Sequence, residues 1–163
     1  MTLSETVLRK AAEWHLSGSK RQTLSIPAGD SGWAVAIHAD RNDELGCRVW
    51  ELWLRRIDRP KISKDNTLRA CAHRTAARVT SLTESLKVVE VDETRNEALL
   101  RSGKPSTRAK AVSYFEVILR GTAEASVRRY RGYHETGHRR EQISFPLTHE
   151  ALAQVVADLT AED

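Results

Sequence analysis

The string His134-Glu135-Thr136-Gly137-His138 satisfies the spacing H-E-x-x-H. On a helix, that spacing sets two imidazoles one turn apart on one face, where they can bind Zn²⁺ while the glutamate activates a metal-bound water. One reading of the chain is therefore a zinc metallopeptidase, with His134 and His138 as ligands and Glu135 as general base. The helix would share a face among Ala123, Val127, Tyr130 and His134. It would also carry Gly132 and Gly137 in its interior, each costing about 1 kcal/mol relative to alanine. Arg128, Arg129, Arg131, Arg139 and Arg140 crowd the same stretch, and their positive potential opposes a divalent cation. No third ligand is well placed. His149 and Glu150 fall just inside a later helix, and the extended form of the motif requires Gly and His where Glu141 and Ser144 stand.

A hairpin accounts for the same residues with less strain. Tyr130 to His134 and His138 to Gln142 become paired strands, joined by Glu135-Thr136-Gly137 with glycine at the left-handed position. The two histidines then flank a turn. In that arrangement Val127 faces the core with Phe115, Val117 and Ile143. The opposite face displays Tyr114, Glu116, Arg128, Tyr130, His134, Arg140 and Gln142, a basic surface interrupted by aromatic rings. Such a face can grip a protein segment, or it can stack bases and hold phosphates as a single-stranded nucleic-acid platform. The binding residues expected on it are Tyr114, Arg128, Tyr130, Arg140 and Gln142.

Other catalytic templates fail on chemistry. Ser102-Gly103-Lys104-Pro105-Ser106-Thr107 lacks the upstream glycine of a phosphate loop and places proline where a Mg²⁺-binding hydroxyl belongs. Neither G-x-S-x-G nor G-x-G-x-x-G occurs. Cys71 and His73 stand two apart on a helix and point in different directions, so they form no nucleophile–base pair. No cofactor is expected, and the chain reads as a non-enzymatic binding or adaptor module.

These residues need elements to position them. Thr2 with Glu5 makes a capping-box spacing before Leu3, Val7, Leu8, Ala11, Trp14 and His15, and Ser17-Gly18 follows as a stop. Period-two runs then mark strands at Leu24 and Ile26, at Trp33 to Ile37 and at Cys47 to Arg56. Asp65 or Asn66 is the expected cap of a second helix, whose stripe runs Leu68, Ala72, Thr75, Ala76, Val79, Leu82 and Leu86. Strand signals resume at 86–91, 97–101, 111–120, 125–133 and 139–145. Pro146 is expected to stop the last strand, and Thr148 to cap a helix carrying Leu152, Val155, Val156 and Leu159. Trp14, Trp33, Trp50 and Trp53 are expected mostly in the core, with Trp50 and Trp53 on opposite faces of their strand.

The order α-βββ-α-βββββ-α predicts the α+β class: a largely antiparallel, twisted sheet covered by helices. It is similar in architecture to small chaperone-like folds that cover one side of an antiparallel sheet and bind protein partners, a likeness that assigns no function. Helix and three strands occur twice, as units 2–56 and 65–120, before a C-terminal hairpin and helix at 123–160. Trp50-Glu51-Leu52-Trp53-Leu54-Arg55 aligns without a gap on Phe115-Glu116-Val117-Ile118-Leu119-Arg120, so a tandem of two α-βββ units is one reading of a chain otherwise expected to form one domain.

The 163 residues, 40% hydrophobic and 29% charged, exclude a fibrous or disordered composition. Charge totals +4 but is uneven: residues 41–78 hold 10 Lys and Arg against 5 Asp and Glu, and 104–141 hold 9 against 4. No apolar run approaches the roughly 20 residues that cross a bilayer, so no membrane insertion is expected. Glu5, Arg9, Lys10 and Glu13 interrupt the segment a signal peptide would keep apolar, and two cysteines without metal-type spacing suit a reducing compartment. The cytoplasm is the expected location. A protein partner, a nucleic acid and a homo-oligomer are all compatible with this balance.

Overall fold

The computed structural model describes residues 1–58, 67–102, 106–108 (backbone alone), 111–133 and 139–162. Helix α1, Leu3–Glu13, starts at Thr2, whose hydroxyl accepts from Glu5 N while the Glu5 carboxylate accepts from Thr2 N, the reciprocal capping box expected. Three strands follow: β1 Gln22–Ile26, β2 Trp33–Asn42 and β3 Gly46–Arg56. Helix α2, Leu68–Arg78, precedes β4 Leu86–Asp92, β5 Glu97–Ser102, β6 Ser106–Arg108, β7 Ala111–Arg120, β8 Glu124–Tyr133, β9 Glu141–Ile143 and β10 Phe145–Thr148. Helix α3, His149–Thr160, is capped by Thr148.

All ladders are antiparallel, and the ten strands form one sheet ordered β1-β2-β3-β8-β7-β5-β4. The α+β class and the helix-covered antiparallel sheet are as expected. Two strands exceed the expected order: β6 is a short ladder on β7, and the last expected strand divides at Ser144. That division has a geometric cause. Strand β3 pairs with β8 only through Leu52–Arg55, so the two strands diverge beyond it. The segment 141–148 fills the wedge, β9 pairing with β8 and β10 with β3.

Pro146 therefore does not end the sheet. It sits inside β10 opposite Arg48, tolerated because β10 has a strand on one side alone among the described residues. Gly46 makes the approach of β10 feasible, since a Cβ there would fall onto the Leu147 carbonyl oxygen. The tight β7–β8 turn uses Gly121 at φ 60°, with its N–H donating to Asn96 O at 2.8 Å.

The three helices pack on one face and share a single apolar cluster with the inward side chains of the sheet. Val7, Ala11, Ala72, Leu152, Val155 and Val156 meet Val35, Ile37, Val49, Leu52, Leu54, Leu100, Val117 and Val127, all fully buried. Asn42 ties this layer together. Its Nδ2 donates to Ala11 O at 2.8 Å and Trp14 O at 2.7 Å, while its Oδ1 accepts from His149 Nε2 at 2.8 Å and from the Cys47 thiol at 3.0 Å. Both donors and both lone pairs of the amide are thus used.

The second helix differs from expectation at both ends. Its cap is Thr67, whose hydroxyl accepts from Ala70 N at 3.1 Å, while Asp65 and Asn66 lie outside the described residues. It stops at Arg78 rather than near Leu86: the Val79 N–H closes the last turn on Thr75 O, Thr80, Ser81 and Thr83 are residue types of low helix propensity, and Glu84 is held by Arg129 at 3.2 Å. Val79, Leu82 and Leu86 are buried nonetheless. Helices α1 and α2 are each 11 residues long, start 65 positions apart and are capped by threonine. Strands β3 and β7 start at the same offset.

Candidate functional site

The sheet face away from the helices is built by strand alternation. In β7 and β8, Phe115, Val117, Leu119, Ala125 and Val127 point into the core, which leaves Tyr114, Glu116, Ile118, Ser126, Arg128 and Tyr130 on the outer face. The register sets Tyr114 opposite Tyr130 and Glu116 opposite Arg128, and β9 adds Gln142 opposite Tyr130. Arg140 enters just ahead of β9. The five residues expected to bind, Tyr114, Arg128, Tyr130, Arg140 and Gln142, are therefore neighbours.

Arg140 is the hub. Its NH1 donates to Glu116 Oε2 at 2.6 Å and to the Tyr114 hydroxyl at 3.3 Å, and its Cζ lies 3.9 Å from the Tyr130 ring centre. The Glu116 carboxylate beside it holds the guanidinium charged, well above the ordinary arginine range, against the opposing effect of burial. Arg101 donates to the same carboxylate at 3.1 Å and sits over Tyr114 with Cζ 5.4 Å from the ring centre. Glu116 itself is buried, its side chain 3% exposed. Arg128 donates from Nε to Glu51 and from NH1 to the Tyr130 hydroxyl at 3.3 Å. Glu51 also faces His38 Nε2 at 3.7 Å, and His38 Nδ1 bonds the Thr23 hydroxyl at 2.7 Å. A connected polar network thus crosses the sheet from β1 to β5.

Sequence reasoning missed the half of this face that lies on β2 and β3. The β2–β3 register shifts twice, leaving Trp50 as an extra residue on one strand and Asp40 on the other. The first bulge switches the inward set from Cys47 and Val49 to Leu52 and Leu54, so Trp50, Glu51 and Trp53 all face outward. Trp50 and Trp53 are accordingly on one face, not on opposite faces. Trp50 Nε1 donates to Asp40 Oδ2 at 2.9 Å, the Arg21 guanidinium lies 3.5 Å above its ring, and Gln142 Nε2 donates to its carbonyl at 2.7 Å. Arg48 Nε donates to Asp40 Oδ1 at 2.6 Å and, as the largest cause, holds that carboxyl below the ordinary aspartate range. Trp53 Nε1 donates to Glu124 Oε1 at 2.7 Å. No periodicity signals a bulge, although Trp-Glu between two inward-pointing sets is compatible with one.

The face is consequently laced with ion pairs. Arg48, Arg101, Arg128 and Arg140 each hold a carboxylate, so the potential alternates in sign across the surface. Their side chains remain about 40% exposed, which leaves each able to contact a partner without abandoning its carboxylate. Beside Arg101, Glu116 and Arg140 opens a groove of about 210 Å³, bounded by Glu90, Asp92, Glu97, Leu99 and Ile118.

The remaining sequence candidates gather no chemistry. His134, Glu135 and His138 lie outside the described residues, and the stretch leading to them is strand β8 rather than a helix through Tyr130. Among the described residues no group of His, Cys, Asp and Glu is arranged to hold a metal ion. Burial, and secondarily Asp43, pushes the Cys47 thiol up to about 11, so it is a poor nucleophile. Gly103, Lys104 and Pro105 also lie outside the described residues. No helix of the described residues is long and apolar enough to cross a membrane. No family model, curated protein or solved structure matches the chain.

Proposed function

We propose that this chain is a non-enzymatic binding module that holds a protein partner against its outer sheet face, around Tyr114, Arg128, Tyr130, Arg140 and Gln142, with Trp50 and Trp53 extending the surface. The observation that carries this reading is the network itself. Aromatic rings and guanidinium groups are fixed in place by the buried carboxylates of Asp40 and Glu116 and the half-buried ones of Glu51 and Glu124, on a face left uncovered by helices. Side chains held this way lose little further entropy on binding, and tryptophan, tyrosine and arginine are the residue types that dominate interface energetics. The alternating charge favours a protein segment that carries both acidic and apolar side chains. A polyanion would have to compete with a carboxylate at Arg48, Arg101, Arg128 and Arg140. Glu51 and Glu116 stand 65 positions apart and each takes a guanidinium from the C-terminal extension, Arg128 and Arg140 respectively. This supports reading 2–56 and 65–120 as tandem units joined by the extension at 123–160. The free thiols Cys47 and Cys71 fit a reducing compartment, and we place the protein in the cytoplasm.

The test is site-specific photo-crosslinking in the native host, with p-benzoylphenylalanine at Tyr114 or, as a control, at Gln154 on the exposed side of α3. A single adduct formed from position 114, absent from position 154 and lost on Arg128→Ala, is the expected result. Equal crosslinking from both positions refutes it. Fluorescence anisotropy with a single-stranded oligonucleotide tests the rival reading. Micromolar binding that falls steeply with salt would replace the protein partner with a nucleic acid.

A further inference from the structure

We propose that β1 is a dimerisation edge, at which a second copy of this chain adds its own β1 antiparallel across a two-fold axis. The sheet ends in β1 on one side and β4 on the other. An edge strand presents a row of N–H and C=O groups that can template another chain, and proteins usually guard it with charge, bulges or brevity. Strand β4 is guarded. Its register shifts between Val88 and Glu90, extruding Val89, and Lys87, Glu90 and Asp92 line it. Strand β1 has no such device. Its five residues, Gln-Thr-Leu-Ser-Ile, run in unbroken register with β2, contain no charge and no proline, and pair with nothing else among the described residues. Of the two charges just ahead of it, Lys20 lies outside the strand and Arg21 is drawn across the sheet over the Trp50 ring at 3.5 Å, away from the edge.

The occupant follows from the strand's own chemistry. Turned about Leu24, β1 sets Leu24 against Leu24 of the second copy and Thr23 against Ser25, an apolar pair and two hydroxyl pairs, each favourable directly across a ladder. No like charges oppose each other. Thr23 and Ser25 are exposed and Leu24 is half-buried against the core, so a second strand would continue the sheet and cover apolar surface at the same time. The contact is isologous and closes at two copies, because the other end of each sheet is blocked by β4. A five-residue strand gives a small interface, so the dimer is of the micromolar class. It leaves the outer face of the sheet free for a partner.

Analytical ultracentrifugation of the full chain, from about 1 to about 500 μM, tests this together with hydrogen exchange measured at both extremes. The expected result is a monomer–dimer equilibrium in which the amides of 22–26 slow as concentration rises. Thr23→Lys with Ser25→Lys places like charges directly across the axis and is expected to raise the dissociation constant about tenfold or more. Val89→Lys on the opposite edge should leave it unchanged. A chain that stays monomeric overturns the inference, and this includes the case in which β1 accepts a strand from a different protein. So does a dimer whose 22–26 amides do not respond to concentration, or one indifferent to the paired lysines.

Discussion

Glu116→Gln separates charge from shape at the centre of the outer face. Glutamine keeps the volume and one acceptor oxygen of the carboxylate, but leaves Arg101 and Arg140 converging on a neutral group. Removing one partner of a fully buried ion pair costs about 3–5 kcal/mol, and an exposed pair contributes about 0–1 kcal/mol. Here the Glu116 side chain is 3% exposed while those of Arg101 and Arg140 are 40% and 41% exposed, so solvent screens roughly half the interaction. The expected loss is about 2 kcal/mol, which for a chain of this length lowers Tm by roughly 4–8 °C. Glu141→Gln is the control, because Arg131 and Glu141 form the same type of pair with side chains 43% and 49% exposed. Solvent screens that pair from both sides, so its loss should be clearly the smaller of the two. Thermal melts by circular dichroism at pH 7, at low salt and again in about 0.5 M NaCl, read both variants. The Glu116 penalty should survive the salt, whereas that of Glu141 should vanish. A Glu116→Gln protein melting within about 1 °C of wild type, or two variants of equal penalty, would refute the argument that burial makes this network rigid.

Asn42→Ala removes the side-chain donor from Trp14 O and the acceptor from the His149 ring, while Ala11 O keeps only the Trp14 N–H, so a loss of about 1–3 kcal/mol is expected in urea unfolding, with Asn42→Asp no better because a carboxylate cannot donate to Ala11 O and Trp14 O. Ellman's reagent at pH 8 should leave Cys47 unmodified in the native protein and react with it only after denaturation, since burial lifts that thiol to about 11. The Asp40 carboxyl is held below its ordinary value in the folded state by Arg48, so its stabilising contribution is complete above about pH 4 and is lost as pH falls through the folded value. The acid-induced fall in Tm should therefore be shallower in Asp40→Asn than in wild type.

Much of the fold is legible residue by residue because it is written in local chemistry. Thr2 with Glu5 and Thr148 ahead of α3 announce helix starts through hydroxyls that can accept only from N–H groups one turn on. The alternation of Phe115, Val117 and Leu119 determines which side of β7 is buried, and with it the company of Tyr114 and Glu116 on the other side. That alternation, carried through the β7–β8 and β8–β9 ladders, is why the five expected binding residues converge.

What the chain's local pattern leaves open is decided by partners distant in sequence. Whether Trp50 faces inward depends on two compensating bulges, which leave Asp40 of β2 where it accepts from both the Trp50 indole and Arg48 of β3. Pro146 remains in the sheet because β3 and β8 diverge and leave a wedge that 141–148 fills. The basic character counted along 104–141 is offset on the face by Glu51, which comes from β3 outside that stretch, while Glu116 within it is buried between Arg101 of β5 and Arg140. Composition along the chain sums charges. Only packing decides which of them lie within a few ångströms of an opposite sign, where water can no longer screen them apart.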